Sequence, residues 1–153
     1  MSAGLAPLDN NWSCLPKAFA LALEVDFANL IRKVGHDGSE IVRPELPEPY
    51  CRRSFHIQEM IDYTTWLGYS VTPIEAFPRS VVDDIVLPLP GDHVKRMVDY
   101  LSRYSGVLTG QGVPSGRHHA VAWKNGRVLD PAGVANDLND FAINTFWIID
   151  NFS

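Results

Sequence analysis

The strongest constraint on the fold of this chain is a hairpin signal near its C-terminus. Two apolar, β-prone runs flank Asn125-Gly126, and both residues tolerate the positive φ angles that a type I′ turn requires. We therefore predict two antiparallel strands joined by a two-residue loop. Such a loop fixes the register, with Lys124 opposite Arg127 and Trp123 opposite Val128.

This register brings one histidine close to a carboxylate. Side chains alternate between the two faces of a strand, so His119 shares its face with Asp130 and the two become diagonal neighbours. Their backbones are then about 7 Å apart, and their side-chain tips are closer. His118 points to the opposite face. The turn therefore selects His119 as the histidine that a carboxylate orients, and a slip of one residue would reverse the choice.

A nucleophile that this histidine could activate lies near the N-terminus. Cys14 begins an apolar run that predicts a buried helix, with Ser13 at the N-cap and Pro16 in the first turn. A helix N-terminus provides partial positive charge and free N–H groups, which favour the reactive thiolate. We therefore predict Cys14 as the nucleophile, His119 as the base and Asp130 as the group that orients the base.

The order of these residues resembles that of the papain-like cysteine peptidase superfamily. Its members carry a cysteine at the head of an early helix and a late His-Ala-Val-Ala strand. In the small bacterial branch that includes the bacteriocin-leader-processing peptidases, an Asp-Pro follows on the next strand. The matching positions here are Cys14, 119–122 and Asp130-Pro131. The resemblance implies the papain-like fold, a cysteine hydrolase activity and a peptide or protein substrate.

The residues before the cysteine depart from the pattern of that superfamily. Its members usually have a glutamine several residues upstream, whose side chain helps to bind the oxyanion. In this chain, Leu8 stands six residues before Cys14. The nearby amides of Asn10 and Asn11 are the candidates for that role, with the backbone N–H of Cys14 as the second donor.

The rest of the pattern predicts helices first and a sheet afterwards. We expect helices over residues 14–24, from an Asp26 cap to about Val34, from a Ser54 cap to about Leu67, and from an Asp92 cap to Gly106. Strands are expected at residues 69–74, 107–109 and 143–149, beside the hairpin, with a further strand or extended segment at 81–87.

This order of elements predicts an α+β fold. The N-terminal helices, with the nucleophile on the first, would pack on a C-terminal, mainly antiparallel sheet of four to six strands. The length of 153 residues is that of a single domain, and nothing in the pattern indicates a linker or a repeat. We therefore expect one papain-like domain over residues 1–153.

Charge and hydropathy argue against several classes of partner. The formal net charge of −5 argues against a nucleic-acid or anionic-membrane partner. No apolar run approaches the roughly 20 residues of a membrane span, and the N-terminus lacks a secretory signal. We therefore expect a cytoplasmic protein, in which a disulfide between Cys14 and Cys51 is not expected.

No cofactor or metal site is expected. The chain has no Cys-x-x-Cys or His-x-x-x-His pattern, and its two cysteines are too few for a structural zinc site. The segment His36-Asp37-Gly38 predicts a turn with exposed polar residues, and Arg52-Arg53 are expected to pair with nearby glutamates. The glycine-rich residues 110–116 match neither common nucleotide motif.

Three such residues permit several acyl-transfer reactions. The first hypothesis is a cysteine hydrolase of the peptidase or isopeptidase type. A deubiquitinase-like or transglutaminase-like enzyme would use the same residues, and residues 11–15 are loosely similar to the nucleophile loop of ovarian-tumour-type deubiquitinases. The alternative is a catalytically inactive papain-like fold that serves as a protein-binding module. Reactivity of Cys14 that depends on His119 separates an enzyme from a binding module.

Overall fold

The computed structural model describes residues 12–112, 118–131, 138 and 141–151. These residues form four helices and seven strands. The helices are α1 (Cys14–Leu23), α2 (Phe27–Val34), α3 (Ile57–Trp66) and α4 (His93–Arg103). The strands are β1 (Tyr69–Glu75), β2 (Arg79–Val82), β3 (Ile85–Pro88), β4 (Gly106–Gly112), β5 (His118–Lys124), β6 (Arg127–Leu129) and β7 (Phe141–Asn151).

Five of the strands form one antiparallel sheet. Its order is β1-β7-β4-β5-β6, and the longest strand, β7, pairs with both β1 and β4. The remaining two strands, β2 and β3, form a separate two-stranded sheet. The α+β class is therefore confirmed, with three helices before the first strand and α4 inserted between β3 and β4. No helix within the described ranges is long and apolar enough to cross a membrane.

Two clusters of buried apolar side chains lie on opposite faces of the large sheet. Consecutive residues of β4 divide between them: Val107 packs with α1, α2 and α3, whereas Leu108 packs with α4. On β5, Ala120 and Val121 divide in the same way. This alternation is the period of two that a strand buried on both faces requires. The sheet is therefore a middle layer between α4 and the N-terminal helices.

Four N-caps were predicted, and two of them, Asp26 and Asp92, cap their helices as expected. Ser13 is at the N-cap position of α1, but its side chain makes no capping hydrogen bond. Asp26 accepts hydrogen bonds from the first turn of α2, and the Asp92 carboxylate accepts one from the backbone of α4. The prediction that Ser54 caps α3 was wrong, because Ser54 has a φ of 57° and lies outside the helix. His56, which we expected inside the helix, is the N-cap, and its Nδ1 accepts from the backbone N–H of Gln58 at 3.0 Å. An imidazole nitrogen therefore replaces the expected hydroxyl.

The further strand or extended segment expected at residues 81–87 is a hairpin of two strands, β2 and β3. Asp83 and Asp84 have φ angles of 50° and 67°, and they form a tight turn between β2 and β3. Positive φ at both central positions is the type I′ geometry, which aspartate tolerates better than most residues. The double aspartate was therefore a turn signal inside an apolar run.

Candidate active site

The β5–β6 hairpin brings His119 and Asp130 together. Asn125 and Gly126 have φ angles of 51° and 75°, and Trp123 pairs with Val128 as the two-residue loop requires. Nε2 of His119 lies 2.7 Å from Oδ1 of Asp130. The predicted contact is therefore present, while the catalytic role of the pair stays a prediction.

This histidine–carboxylate pair is largely removed from water. The side chain of His119 is 16% exposed and that of Asp130 is 1% exposed. The ring of Phe141, at the start of β7, packs edge-on against the imidazole with 6.1 Å between ring centroids. A charged hydrogen bond in such surroundings competes with little water and is stronger than an exposed one.

Cys14 is the first residue of α1 and a partly exposed, free thiol. The thiol of Cys14 is close enough to His119 to affect the pKa of the imidazole. Burial disfavours the charged ring, but hydrogen bonds with Asp130 and with Cys14, and the negative charge of both, together raise the pKa of His119 to about 9. Because Asp130 contacts Nε2, Nδ1 is the ring nitrogen that remains for the sulfur. The imidazole therefore lies between a thiol and a carboxylate.

Close packing of α1 on β5 brings the start of the helix to the strand that carries His119. Ala18 and Ala20 of the helix share one buried cluster with Ala120 of the strand, and Ala122, two residues further along β5, is also fully buried. Side chains of one carbon let a helix backbone approach a sheet more closely than larger ones do. The Ala-x-Ala pattern after His119 thus explains why a helix from the other end of the chain fits here.

The chain just before Cys14 is held by a loop more than 20 residues away. The indole Nε1 of Trp12 donates to the backbone oxygen of Asp37 at 3.1 Å, and Oγ of Ser54 donates to the backbone oxygen of Trp12 at 3.2 Å. The Arg52 guanidinium lies 4.6 Å above the indole ring. We name this group the Trp12 clamp. It fixes the residue two positions before the sulfur.

Part of this loop was predicted incorrectly. His36 was expected in an exposed turn, but its side chain is only 11% exposed and its Nε2 lies 2.7 Å from Oε2 of Glu59. Its ring also stacks on Phe55, with 4.7 Å between centroids. No local pattern indicates these contacts, since Glu59 is 23 residues away. The expected local pairing of arginines with glutamates is present, as Arg52 with Glu48 and Arg53 with Glu40.

Comparison with protein-family models finds no match, and comparison with curated proteins finds none either.

The other residues considered for the site lie outside the described residues or away from the Cys14–His119–Asp130 group. Asn10 and Asn11, predicted as oxyanion donors, lie outside the described residues. Cys51 is buried and free, and belongs to the loop that carries Arg52 rather than to the site. Within the described part of the chain, no three His, Cys, Asp or Glu side chains converge as metal ligands would.

Proposed function

We propose that this chain is a cysteine hydrolase of the peptidase or isopeptidase type, with a papain-like arrangement of its site. Cys14 is the nucleophile, His119 is the general base and acid, and Asp130 orients the imidazole and supports its positive charge. Three observations support this: the cysteine at a helix start, the shared imidazole, and the buried carboxylate.

The observation that carries the proposal is the position of His119, whose Nε2 lies 2.7 Å from the buried Asp130 carboxylate and whose ring also contacts Cys14; these contacts raise the pKa of His119 to about 9. A histidine with this pKa is an imidazolium at neutral pH. A cation beside a thiol favours the thiolate, which is the nucleophilic form. A structural histidine has no need of a thiol on one side and a buried carboxylate on the other. We therefore take a thiolate–imidazolium pair of Cys14 and His119 as the proposed reactive state of the site.

The proposed reaction proceeds through a thioester. The thiolate of Cys14 attacks the carbonyl carbon of an amide, and the oxyanion receives a hydrogen bond from the backbone N–H of Cys14. The C–N bond then breaks, and the imidazolium of His119 gives its proton to the leaving amine. Water attacks the thioester while His119 takes one of its protons. The acid is released, the thiol leaves as thiolate, and the site returns to its first state.

The first experiment measures alkylation of both cysteines by iodoacetamide as a function of pH, with peptide mass spectrometry to separate them. Cys51 is the internal control, because it is only 5% exposed and plays no part in the proposed pair. At pH 6 we expect Cys14 to react far faster than Cys51. In His119→Ala the rate at Cys14 should fall roughly tenfold or more, because the thiolate loses its cation.

The second measurement tests turnover. Incubation with an activated acyl ester, p-nitrophenyl acetate, should give a burst of p-nitrophenol and an acetyl adduct on Cys14, detected by intact mass and peptide mapping. Cys14→Ser should show neither. If Cys14 reacts at pH 6 no faster in the parent than in His119→Ala, the thiolate–imidazolium pair does not exist. The hydrolase proposal then fails, and a protein-binding role becomes the better hypothesis.

A further inference from the structure

The β2–β3 hairpin is exposed on every residue. Its apolar side chains are accessible on both faces, as shown by Val81 at 66% and Val86 at 52% on one face and by Val82 at 51% and Ile85 at 59% on the other. Among the described strands, β2 pairs with β3 alone. Isolated two-stranded hairpins are only marginally stable in water, and an open apolar edge is a template for another strand.

The outer edge of β2 is suited to strand pairing. The backbone N–H of Leu89 donates to the oxygen of Pro78 at 2.9 Å, so the Pro78 carbonyl faces the β3 side. In an antiparallel ladder this orientation recurs at every second residue. Arg79 and Val81 therefore direct their N–H and C=O groups away from β3, toward the open edge. No residue of β2 is a proline, whereas β3 ends at Pro88.

The two ends of β2 carry opposite charges. Arg79 begins the strand and Asp83 follows its last residue, and neither forms an ion pair with any other described residue. Within one chain they lie roughly 13 Å apart, at about 3.3 Å per residue, which is too far for direct pairing. The complementary charge for each is therefore absent from its own strand.

A second copy of the chain supplies that charge. A two-fold axis perpendicular to the sheet leaves the same face of each β2 strand on one side of the joined sheet. Residues that lie directly opposite each other then point to the same face, so their numbers differ by an even number. With the axis at Val81, each Val81 faces its own copy across two backbone hydrogen bonds. In the same register, Arg79 of each copy lies beside the turn that begins at Asp83 of the other, within reach of its long side chain. Strand edge, backbone direction and charge therefore agree on one arrangement.

We propose that the chain forms a two-fold symmetric dimer through β2, with a continuous four-stranded antiparallel sheet in the order β3-β2-β2-β3. The dimer does not involve Cys14, His119 or Asp130. Its failure would therefore leave the hydrolase proposal untouched, and the reverse also holds.

The size of the interface sets the expected affinity. β2 contributes four residues from each chain, so the paired edges are smaller than the standard interface of about 800 Å² per partner. Small interfaces of this kind are weak or transient. We therefore expect a reversible dimer with a dissociation constant roughly in the micromolar range or weaker.

Sedimentation velocity across the micromolar range tests the dimer, and charge exchange tests its register. Arg79→Asp and Asp83→Arg should each weaken dimerisation at least tenfold, because each places like charges opposite one another. The double variant should restore it. Asp84→Arg is the matched control, since it makes the same charge change in the same turn without facing Arg79. It should weaken the dimer far less than Asp83→Arg.

Cross-linking tests the position of the axis. Val81→Cys, in a Cys14→Ser background, should form a covalent dimer with a short bis-maleimide, whereas Val86→Cys on the distant strand β3 should not. A chain that sediments as a monomer throughout would overturn the proposal. So would equal effects of Asp83→Arg and Asp84→Arg, a double variant without recovery, or equal cross-linking at positions 81 and 86.

Discussion

Replacement of Asp130 by asparagine separates the charge of this residue from its geometry. The amide oxygen of Asp130→Asn can still accept the hydrogen bond from Nε2 of His119, but it carries no negative charge. Burial opposes the charge on His119, and the hydrogen bond that its ring donates to Asp130 is the largest of the contributions that raise its pKa to about 9. We expect the pKa of His119 to fall to about 8 or lower, and each unit of pKa corresponds to about 1.4 kcal/mol.

The assay is an NMR titration of the histidine rings after selective ¹⁵N labelling, with the His119 resonances assigned from His119→Gln. Glu59→Gln is the matched control, because Glu59 contacts the ring of His36 at the same 2.7 Å that joins Asp130 to His119. This control removes a carboxylate from another histidine and should leave the pKa of His119 unchanged. Alkylation of Cys14 should fall less in Asp130→Asn than in Asp130→Ala, which also loses the orienting acceptor.

Two results would refute this reasoning. If the pKa of His119 is unchanged in Asp130→Asn, the carboxylate does not support the positive charge of the ring. If Glu59→Gln lowers that pKa as much as Asp130→Asn does, the cause is the net charge of the molecule rather than the 2.7 Å contact.

The remaining predictions concern stability. Because folding raises the pKa of His119 from 6.5 to about 9, its protonation stabilises the fold fully below pH 6.5, and this contribution disappears as the pH rises through 9. Urea unfolding gives the free energy of unfolding of the parent and of His119→Gln at each pH. The parent should exceed the variant by about 2–3 kcal/mol more at pH 6 than at pH 10. Equal differences at the two pH values would contradict this prediction. Gly110→Ala should cost at least about 2 kcal/mol, since its Cβ would lie 2.0 Å from the backbone oxygen of Ala142. A Cβ at Gly126 would meet only open space, so Gly126→Ala should reduce the free energy of unfolding by about 1–2 kcal/mol from its positive φ alone. If Gly110→Ala reduces it by less than Gly126→Ala does, the close backbone contact at Gly110 is contradicted.

The parts of the site that were predictable are those with local causes. The register of β5 with β6 depends on two turn residues, so His119 and Asp130 could be paired across 11 positions from the pattern alone. The caps Asp26 and Asp92 could be predicted for the same reason, since each carboxylate accepts hydrogen bonds from the backbone of the first turn of its own helix. Where the cause lies within one turn of chain, residue type is enough.

The parts that failed depend on distant neighbours or on unusual donors and acceptors. β7 extends beyond the expected residues 143–149 because β1 and β4 pair with it from both sides, and the pattern of one strand does not contain its neighbours. The Trp12 clamp joins residues 25 and 42 positions apart. His56 was misjudged because an imidazole is an uncommon N-cap, although Glu59 three residues later completes a capping box and was a usable signal.

The two halves of the site therefore have different physical origins. His119 and Asp130 belong to one hairpin, whereas Cys14 arrives on a helix from the other end of the chain. The two ends of that helix are tied differently: the Trp12 clamp holds the chain before the sulfur, and Lys124 contacts the exposed Glu24 at 2.6 Å beyond the last turn. A surface ion pair contributes little, so the clamp and the alanine contact with β5 carry the alignment. Because the pKa of His119 depends on both Asp130 and Cys14, it reports whether the hairpin and the helix are correctly packed.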